Sequence, residues 1–405
     1  MNLKADLASA LKSVGKEWKK AKRHADREDR LSSWALNQMR KVSTRVTTRE
    51  VAFATMEEAY LKASGGGLYP ANARQIYYAA RPRILEMTGE SELGSQYFTQ
   101  TLLKDYLEEF EPEWDVIYDA RGHIVEPHTG EMVGLGGLEV RKYISEFTNG
   151  VFSETPIIKP SRMIPTAGPG LRYGGILFIE KEGFSPLLKK ARIAERYDVA
   201  IASSKGMPVS ALSDLLLEMR SHNIKAYAVH DFDKSGFSIL STLRKGARGS
   251  QGSGEIIDLG FRLADIGGLQ RERVDYRGSD PTQNLRENGA TKKEINILFQ
   301  GHWYGERVEL NAMASDQLIG WLERKLREHG VKKLIPDSET LAAAYRRAVF
   351  LQKIDEGQKR LRKKLQAQTI KVPDNLSDRV RSFMSDKQVE EMAWDEIVWR
   401  LAKQS

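Results

Sequence analysis

Three carboxylates stand where two apolar runs end. The run closing at Ile179 leads into Glu180-Lys181-Glu182-Gly183, and the run closing at Val229-His230 leads into Asp231-Phe232-Asp233-Lys234-Ser235-Gly236. Residues two apart on an extended segment face the same way. Asp231 and Asp233 can therefore converge, and Glu180 from a neighbouring strand would complete a patch of three acids. Acids gathered in this way repel one another and raise their own pKa values unless a cation sits among them. Mg2+ resolves the repulsion, because it takes one or two carboxylates with waters and phosphate oxygens, and it neutralises charge on a phosphodiester in transfer. The plainer alternative is that Asp231 and Asp233 cap the helix that follows, a place where Asp is favoured in any protein. A glutamate arriving from a second strand end at the same sheet face favours the metal site. Glu182 is a plausible auxiliary acid, and His230 could ligate metal. At the end of a buried strand, however, His230 is expected to be packed and neutral.

A second constellation is Arg74-Gln75-Ile76-Tyr77-Tyr78. On a helix Arg74 reaches either hydroxyl, lying three residues before one and four before the other. A phenol with its ordinary pKa near about 10 is a poor nucleophile at neutral pH, and a guanidinium helps by stabilising the phenolate or the attacked phosphate. Spacing does not choose between Tyr77 and Tyr78, and tyrosine pairs on helices are commonly packing residues.

The elements that must position these groups fall into four stretches. Residues 1–45 form a basic helical extension in which Leu7, Leu11, Val14 and Trp18 recur at helical spacing among Lys12, Lys16, Lys19, Lys20, Arg23 and Arg27. Such a helix packs on one face, contacts phosphate or docks a partner. Residues 46–150 read as helices over 47–64, 70–87 and 96–109, followed by a hairpin from Trp114 to Glu126 that turns at Ala120-Arg121-Gly122. Helices followed by a hairpin make the signature of a winged-helix module, which commonly binds DNA. Residues 151–335 alternate short apolar strands (176–179, 199–202, 225–229 and 255–259) with helices over 185–196 and 208–222. That is an α/β layout around a parallel sheet, in which ligands sit beyond the carboxyl ends of the strands. Between them Gly246 to Gly254 is a flexible loop containing Arg248. Residues 336–405 are helical and basic, and the run Lys359-Arg360-Leu361-Arg362-Lys363-Lys364 is expected to be a solvated helix face.

Bulk composition agrees with this multidomain α+β reading. A chain of 405 residues suggests two or three cores, and 63 Lys and Arg against 55 Asp and Glu give +8, a surplus that attracts polyanions. The absence of cysteine excludes disulfides, iron–sulfur ligation and thiolate zinc, which leaves oxygen or histidine ligands. No apolar run approaches the roughly 18 residues of a membrane span. A soluble protein is expected, cytoplasmic and nucleoid-associated, or nuclear in a eukaryote. Gly134-Leu135-Gly136-Gly137 lacks the spacing of a dinucleotide or P-loop motif, so no nucleotide cofactor is expected.

The strand-end Glu180 with the later Asp231-Phe232-Asp233 resembles the Toprim domain of topoisomerases, primases and certain nucleases. Joined to a winged-helix-like module carrying Arg74 and Tyr77-Tyr78, it resembles the A subunit of topoisomerase VI and its meiotic relative, the transesterase that opens double-strand breaks. The segments 178–184 (FIEKEGF), 203–208 (SSKGMP) and 309–312 (ELNA) are similar to that family as well, so the likeness spans about residues 45–330. The resemblance implies that Tyr78 is the nucleophile and Tyr77 a packing neighbour, that Arg74 assists, and that Glu180, Asp231 and Asp233 hold Mg2+. It also implies a 5′-phosphotyrosyl intermediate on double-stranded DNA, and a homodimer in which the tyrosine of one protomer meets the acids of the other. The chain departs from the family at Lys234, where proline is usual, and after Pro208. It carries no ATPase motif, so an ATP-driven gate would need a B-type subunit in trans. Two further functions stay open: a Toprim-type Mg2+-dependent endonuclease in which water attacks, and an inactive DNA-binding or scaffold homologue.

Overall fold

The structure, a computed structural model, describes residues 46–118, 123–125, 132–134, 137–149, 172–203, 210–245, 256–276, 280–368, 371–384 and 394–403. The basic extension 1–45, the loop 246–254 and the segment 204–208 lie outside them.

Two capped helices build the first core. Helix α1 (Thr48–Ala63) begins at Thr47, whose side chain accepts from the Glu50 amide while the Glu50 carboxylate returns to the Thr47 amide. Strand β1 (Ala71–Asn72) leads into α2 (Ala73–Thr88), where Asn72 and Gln75 form the same reciprocal cap. These pairs satisfy amide donors that the first helical turn leaves without partners. Val51, Met56, Ile76, Tyr77, Tyr78 and Phe98 are buried together between α1, α2 and α3 (Leu103–Phe110), with Tyr60 stacked on Trp114.

The hairpin falls later in the chain than the alternation predicts. Strand β2 (Val116–Ile117), within the expected hairpin, pairs in parallel with β1. The hairpin itself joins β3 (His123–Val125) to β4 (Met132–Gly134) and precedes α4 (Gly137–Asn149). Alternation identifies extended chain but not its partner. Here burial of Trp114 against Tyr60 and Tyr106 brings the start of the segment back to β1.

The second half is organised by a four-stranded parallel sheet of order β6-β5-β7-β8, made of β5 (Gly175–Ile179), β6 (Val199–Ser203), β7 (Lys225–Val229) and β8 (Ile256–Gly260). Side chains alternate between its two faces, and both faces are buried. Leu177, Ile179, Tyr227 and Val229 enter one core, while Ile176, Phe178, Ala228 and Ile256 enter the other. This two-sided burial explains why the strands read as continuous apolar runs. The helix expected over 185–196 is two helices, α5 (Ser185–Lys190) and α6 (Ile193–Tyr197), because Arg192 takes a left-handed φ of 54°. The break lets Leu187, Leu188, Ile193 and Tyr197 all reach one core. Helix α7 (Ser210–Ser221) covers the other face and α8 (Lys234–Lys245) follows β7.

An antiparallel pair, β9 (Glu272–Asp275) with β10 (Tyr304–Arg307), is stitched to the sheet by a two-way backbone bridge between Phe232 and Val308. Helices α9 (Thr282–Glu287) and α10 (Lys292–Leu298) lie between those strands, and α11 (Ser315–Glu328) packs Leu318, Trp321 and Leu322 into the core. Beyond it α12 (Ser338–Gln366) buries no side chain, and Lys359, Arg360, Lys363 and Lys364 are exposed, as expected of a solvated face. The architecture is mixed α/β with a parallel sheet. No described helix is long and apolar enough to cross a membrane.

Candidate active site

All three acids lie at the carboxyl ends of adjacent strands. Glu180 follows β5, Asp231 follows β7, and Asp233 opens α8. Glu180 Oε2 faces the Asp231 amide at 3.4 Å. The tight turn depends on Gly236, where a Cβ would stand 2.3 Å from the Asp231 carbonyl oxygen and 2.6 Å from His230 Nδ1. Asp233 Oδ1 accepts from the Gly236 amide at 2.7 Å, so this acid does cap α8. Asp231 does not. Its Oδ1 accepts from the Leu310 amide at 2.7 Å, and its Oδ2 meets Lys181 Nζ at 2.6 Å.

Charge crowding at these strand ends is pronounced. Burial pushes the Glu180 carboxyl up to about 7, reinforced by Asp231 and Asp233 and opposed by Lys181. Burial likewise raises Asp233, with Asp231 adding to it. Among the described residues, no three histidine, aspartate or glutamate side chains are arranged as a ready-made metal cage. Asp231 instead satisfies an ammonium. The donor chemistry nevertheless suits a hard divalent cation, since every group is a carboxylate oxygen and Glu180 is pushed towards its protonated form by burial and by its acidic neighbours. Glu182 contributes a backbone turn here, and its side chain lies outside what the structure describes.

His230 is packed, as expected, but its surroundings favour the charged ring rather than the neutral one. Its Nδ1 lies 2.8 Å from the Asp231 carbonyl oxygen and its Nε2 lies 3.2 Å from Asp258 Oδ1. Both partners only accept, so both ring nitrogens are placed to donate. Burial works against that charge, but Asp258 outweighs it and the imidazole pKa rises. Asp258 is in turn held down to about 2 by His230 and Arg262, despite its burial. The sequence offered no sign of Asp258 as a partner because it lies on a different strand.

The tyrosine helix meets the acids through a glutamate. Arg74 projects from the first turn of α2, and its Nη2 lies 2.9 Å from Glu309 Oε1. Arg307 Nη2 meets the same oxygen at 3.0 Å, while Lys181 Nζ lies 3.2 Å from Glu309 Oε2. Glu309 is only 2% exposed, yet these three cations hold its carboxyl below the usual range against the effect of burial. Arg307 also pairs with Glu272 at 2.8 Å. An unbroken path therefore runs from Arg74 through Glu309 and Lys181 to Asp231. The turn carrying Arg74 is pinned where it must be, because Gln75 Nε2 donates to the Met313 carbonyl at 2.9 Å and Ser315 Oγ donates to the Pro70 carbonyl at 2.8 Å.

A family-model scan gives no match. A search of curated proteins gives none either.

Tyr77 and Tyr78 differ in ways that spacing could not reveal. The Tyr77 hydroxyl donates to the Leu93 carbonyl at 2.8 Å. The Tyr78 hydroxyl is buried and makes no well-formed hydrogen bond among the described residues. Burial drives its pKa far above the ordinary phenol value, Glu309 and Glu272 push the same way, and Arg74 opposes them. Pro82 has no amide hydrogen with which to bond the Tyr78 carbonyl, and that carbonyl accepts from the Gln270 side chain instead. The chain just before β9 thus lies across the tyrosine's own peptide. Lys181, Glu309, Arg307 and Glu272 were absent from the sequence-derived site. Two signals bore on them: Arg307 and Glu309 are two apart on extended chain, and Lys181 adjoins the strand-end glutamate.

Proposed function

We propose that this chain cleaves double-stranded DNA by tyrosine transesterification in the manner of the topoisomerase VI A subunit. In this reading a winged-helix-like module spans residues 46–150 and a Toprim-like module spans 151–335. The observation that carries it is the ion-paired path from Arg74, one turn before Tyr78, through Glu309 and Lys181 to Asp231. Two constellations far apart in sequence share one polar cluster.

The Tyr78 hydroxyl attacks a backbone phosphorus. The Oη–P bond forms as the P–O3′ bond breaks, the phenolic proton leaves, and the departing 3′ oxygen takes up a proton. The product is a 5′-phosphotyrosyl link. Arg74 is placed to neutralise either the phenolate or the phosphate. Mg2+ held by Glu180, Asp231 and Asp233 would supply charge neutralisation at the phosphate. Tyr78 is 2% exposed, so the chain around Gln270 and Glu272 must move aside before DNA reaches it. A homodimer would cut both strands, and an ATP-driven gate would require a separate B-type subunit.

That burial also favours a second reading, in which Tyr78 only packs and water attacks at the acids. Incubation with supercoiled plasmid and Mg2+, run on gels with and without prior proteolysis, separates the two. Transesterification leaves cut DNA that enters the gel normally only after proteolysis, whereas hydrolysis leaves ends free of protein in both lanes.

A further inference from the structure

We propose that Lys181 is a built-in competitor for the cation of the acidic site. Its ammonium occupies Asp231, and a divalent ion binds as Lys181 is drawn across to Glu309. The inference rests on Glu180, Asp231 and Asp233 being the metal ligands, and it adds what controls their occupancy.

The geometry is that of an exchange. Lys181 Nζ sits between two carboxylates, 2.6 Å from Asp231 Oδ2 and 3.2 Å from Glu309 Oε2. Asp231 has its other oxygen committed to the Leu310 amide, so Oδ2 is the oxygen it can offer a new partner. Glu309 directs Arg74 and Arg307 to Oε1 and faces Lys181 with Oε2, which provides a landing point once Asp231 is taken. A lysine suits this movement, being a compact charge on a flexible four-carbon stem, whereas a forked guanidinium would be fixed in place. An ammonium and a divalent cation on one carboxylate oxygen repel each other strongly in a partly buried setting. Occupancy by one therefore weakens the other, and this negative coupling is reciprocal. Monovalent ions, with half the charge to set against the lysine, would be discriminated against.

Titration calorimetry of MnCl2 into the full chain tests the proposal in the wild type and in the Lys181→Met, Lys181→Arg and Asp231→Asn variants, with folding of each checked by circular dichroism. Lys181→Met is expected to bind roughly five- to a hundredfold more tightly, and Lys181→Arg no more tightly than wild type. A folded Lys181→Met variant with equal or weaker binding overturns the proposal alone. Failure of both the wild type and Lys181→Met to bind Mn2+, or binding unaffected by Asp231→Asn, overturns the metal reading and the proposal with it. If Lys181→Met does not fold, the wild type labelled with 15N-lysine decides. The Lys181 ammonium resonance, assigned by its loss in Lys181→Arg, is expected to shift as Mg2+ saturates, and an unchanged resonance at saturation refutes the exchange.

Discussion

Arg74 Nη2 and Glu309 Oε1 lie 2.9 Å apart, joining the first turn of the tyrosine helix to the chain that leaves β10. Glu309 carries two further cations, Arg307 and Lys181, so the contributions of the two partners are unequal. Removing the carboxylate leaves three cations without their shared anion, whereas removing Arg74 leaves Glu309 doubly paired. Glu309→Gln is accordingly expected to cost about 3 kcal/mol of stability and Arg74→Met about 1 kcal/mol, measured by urea denaturation. Equal losses would show that the hub does not work as the geometry indicates.

Glu180 gives the protein a pH dependence of unusual sign. Its carboxyl moves from an ordinary value of 4.5 to about 7 on folding, so the folded chain holds a proton that the unfolded chain has released. Stability therefore falls as pH rises from about 4.5 to about 7, by on the order of 2–3 kcal/mol from this group. Glu180→Gln should flatten that part of the profile and leave the variant more stable than wild type at pH 8. Thermal melts across this range check it, and a wild-type curve that rises between these values where the variant's is flat would contradict it.

The His230–Asp258 pair adds one limb of the same sign as Glu180 and one of the opposite sign. The histidine's raised pKa supplies stability that is complete below about 6.5 and is lost as pH climbs through the raised value. The aspartate's lowered value supplies stability present above about 3.8 and lost as pH falls towards about 2. Asp258→Asn should remove roughly 2 kcal/mol near neutrality and eliminate the acid limb. NMR of the His230 ring should show both nitrogens protonated at pH 7 in the wild type and one in the variant.

Gly236 admits no side chain without displacing the Asp231 carbonyl or the His230 ring. Gly236→Ala should therefore cost about 2 kcal/mol and shift the His230 resonances, whereas Ser235→Ala, one residue earlier, should change the His230 resonances far less. Unaltered His230 resonances in Gly236→Ala would show that the turn yields without disturbing the acids.

Much of the sheet could be read from the sequence because its strands are buried on both faces. Runs such as Ile176 to Ile179 are apolar throughout and end abruptly at an acid, which fixed both the strand and the candidate residue. Local alternation was a weaker guide. The residues around Val116 looked like half a hairpin and pair in parallel with Ala71 and Asn72 instead, since pairing depends on what Trp114 stacks upon. The break at Arg192 was hidden because a left-handed arginine has no signature in sequence. At the site, the acids and Arg74 were legible, but the ion-pair network that ties them together was not. Arg74, Lys181 and Arg307 come from three separate elements, and only folding reveals that Glu309 unites them. The upward push on the His230 pKa had the same origin, a partner on the neighbouring strand.

In the proposed reaction Tyr78 becomes covalently joined to DNA at a site served by Glu180, Asp231 and Asp233. The direct measurement is to trap the full chain on 5′- and 3′-labelled duplex DNA in Mg2+ under denaturing conditions, then digest it and sequence the adducted peptide by mass spectrometry. The expected result is one nucleotide-modified peptide containing Tyr78, carrying the 5′ end, absent from Tyr78→Phe and greatly reduced in Asp231→Asn. DNA cut with free ends and no modified peptide, or an adduct undiminished in Tyr78→Phe, would contradict it.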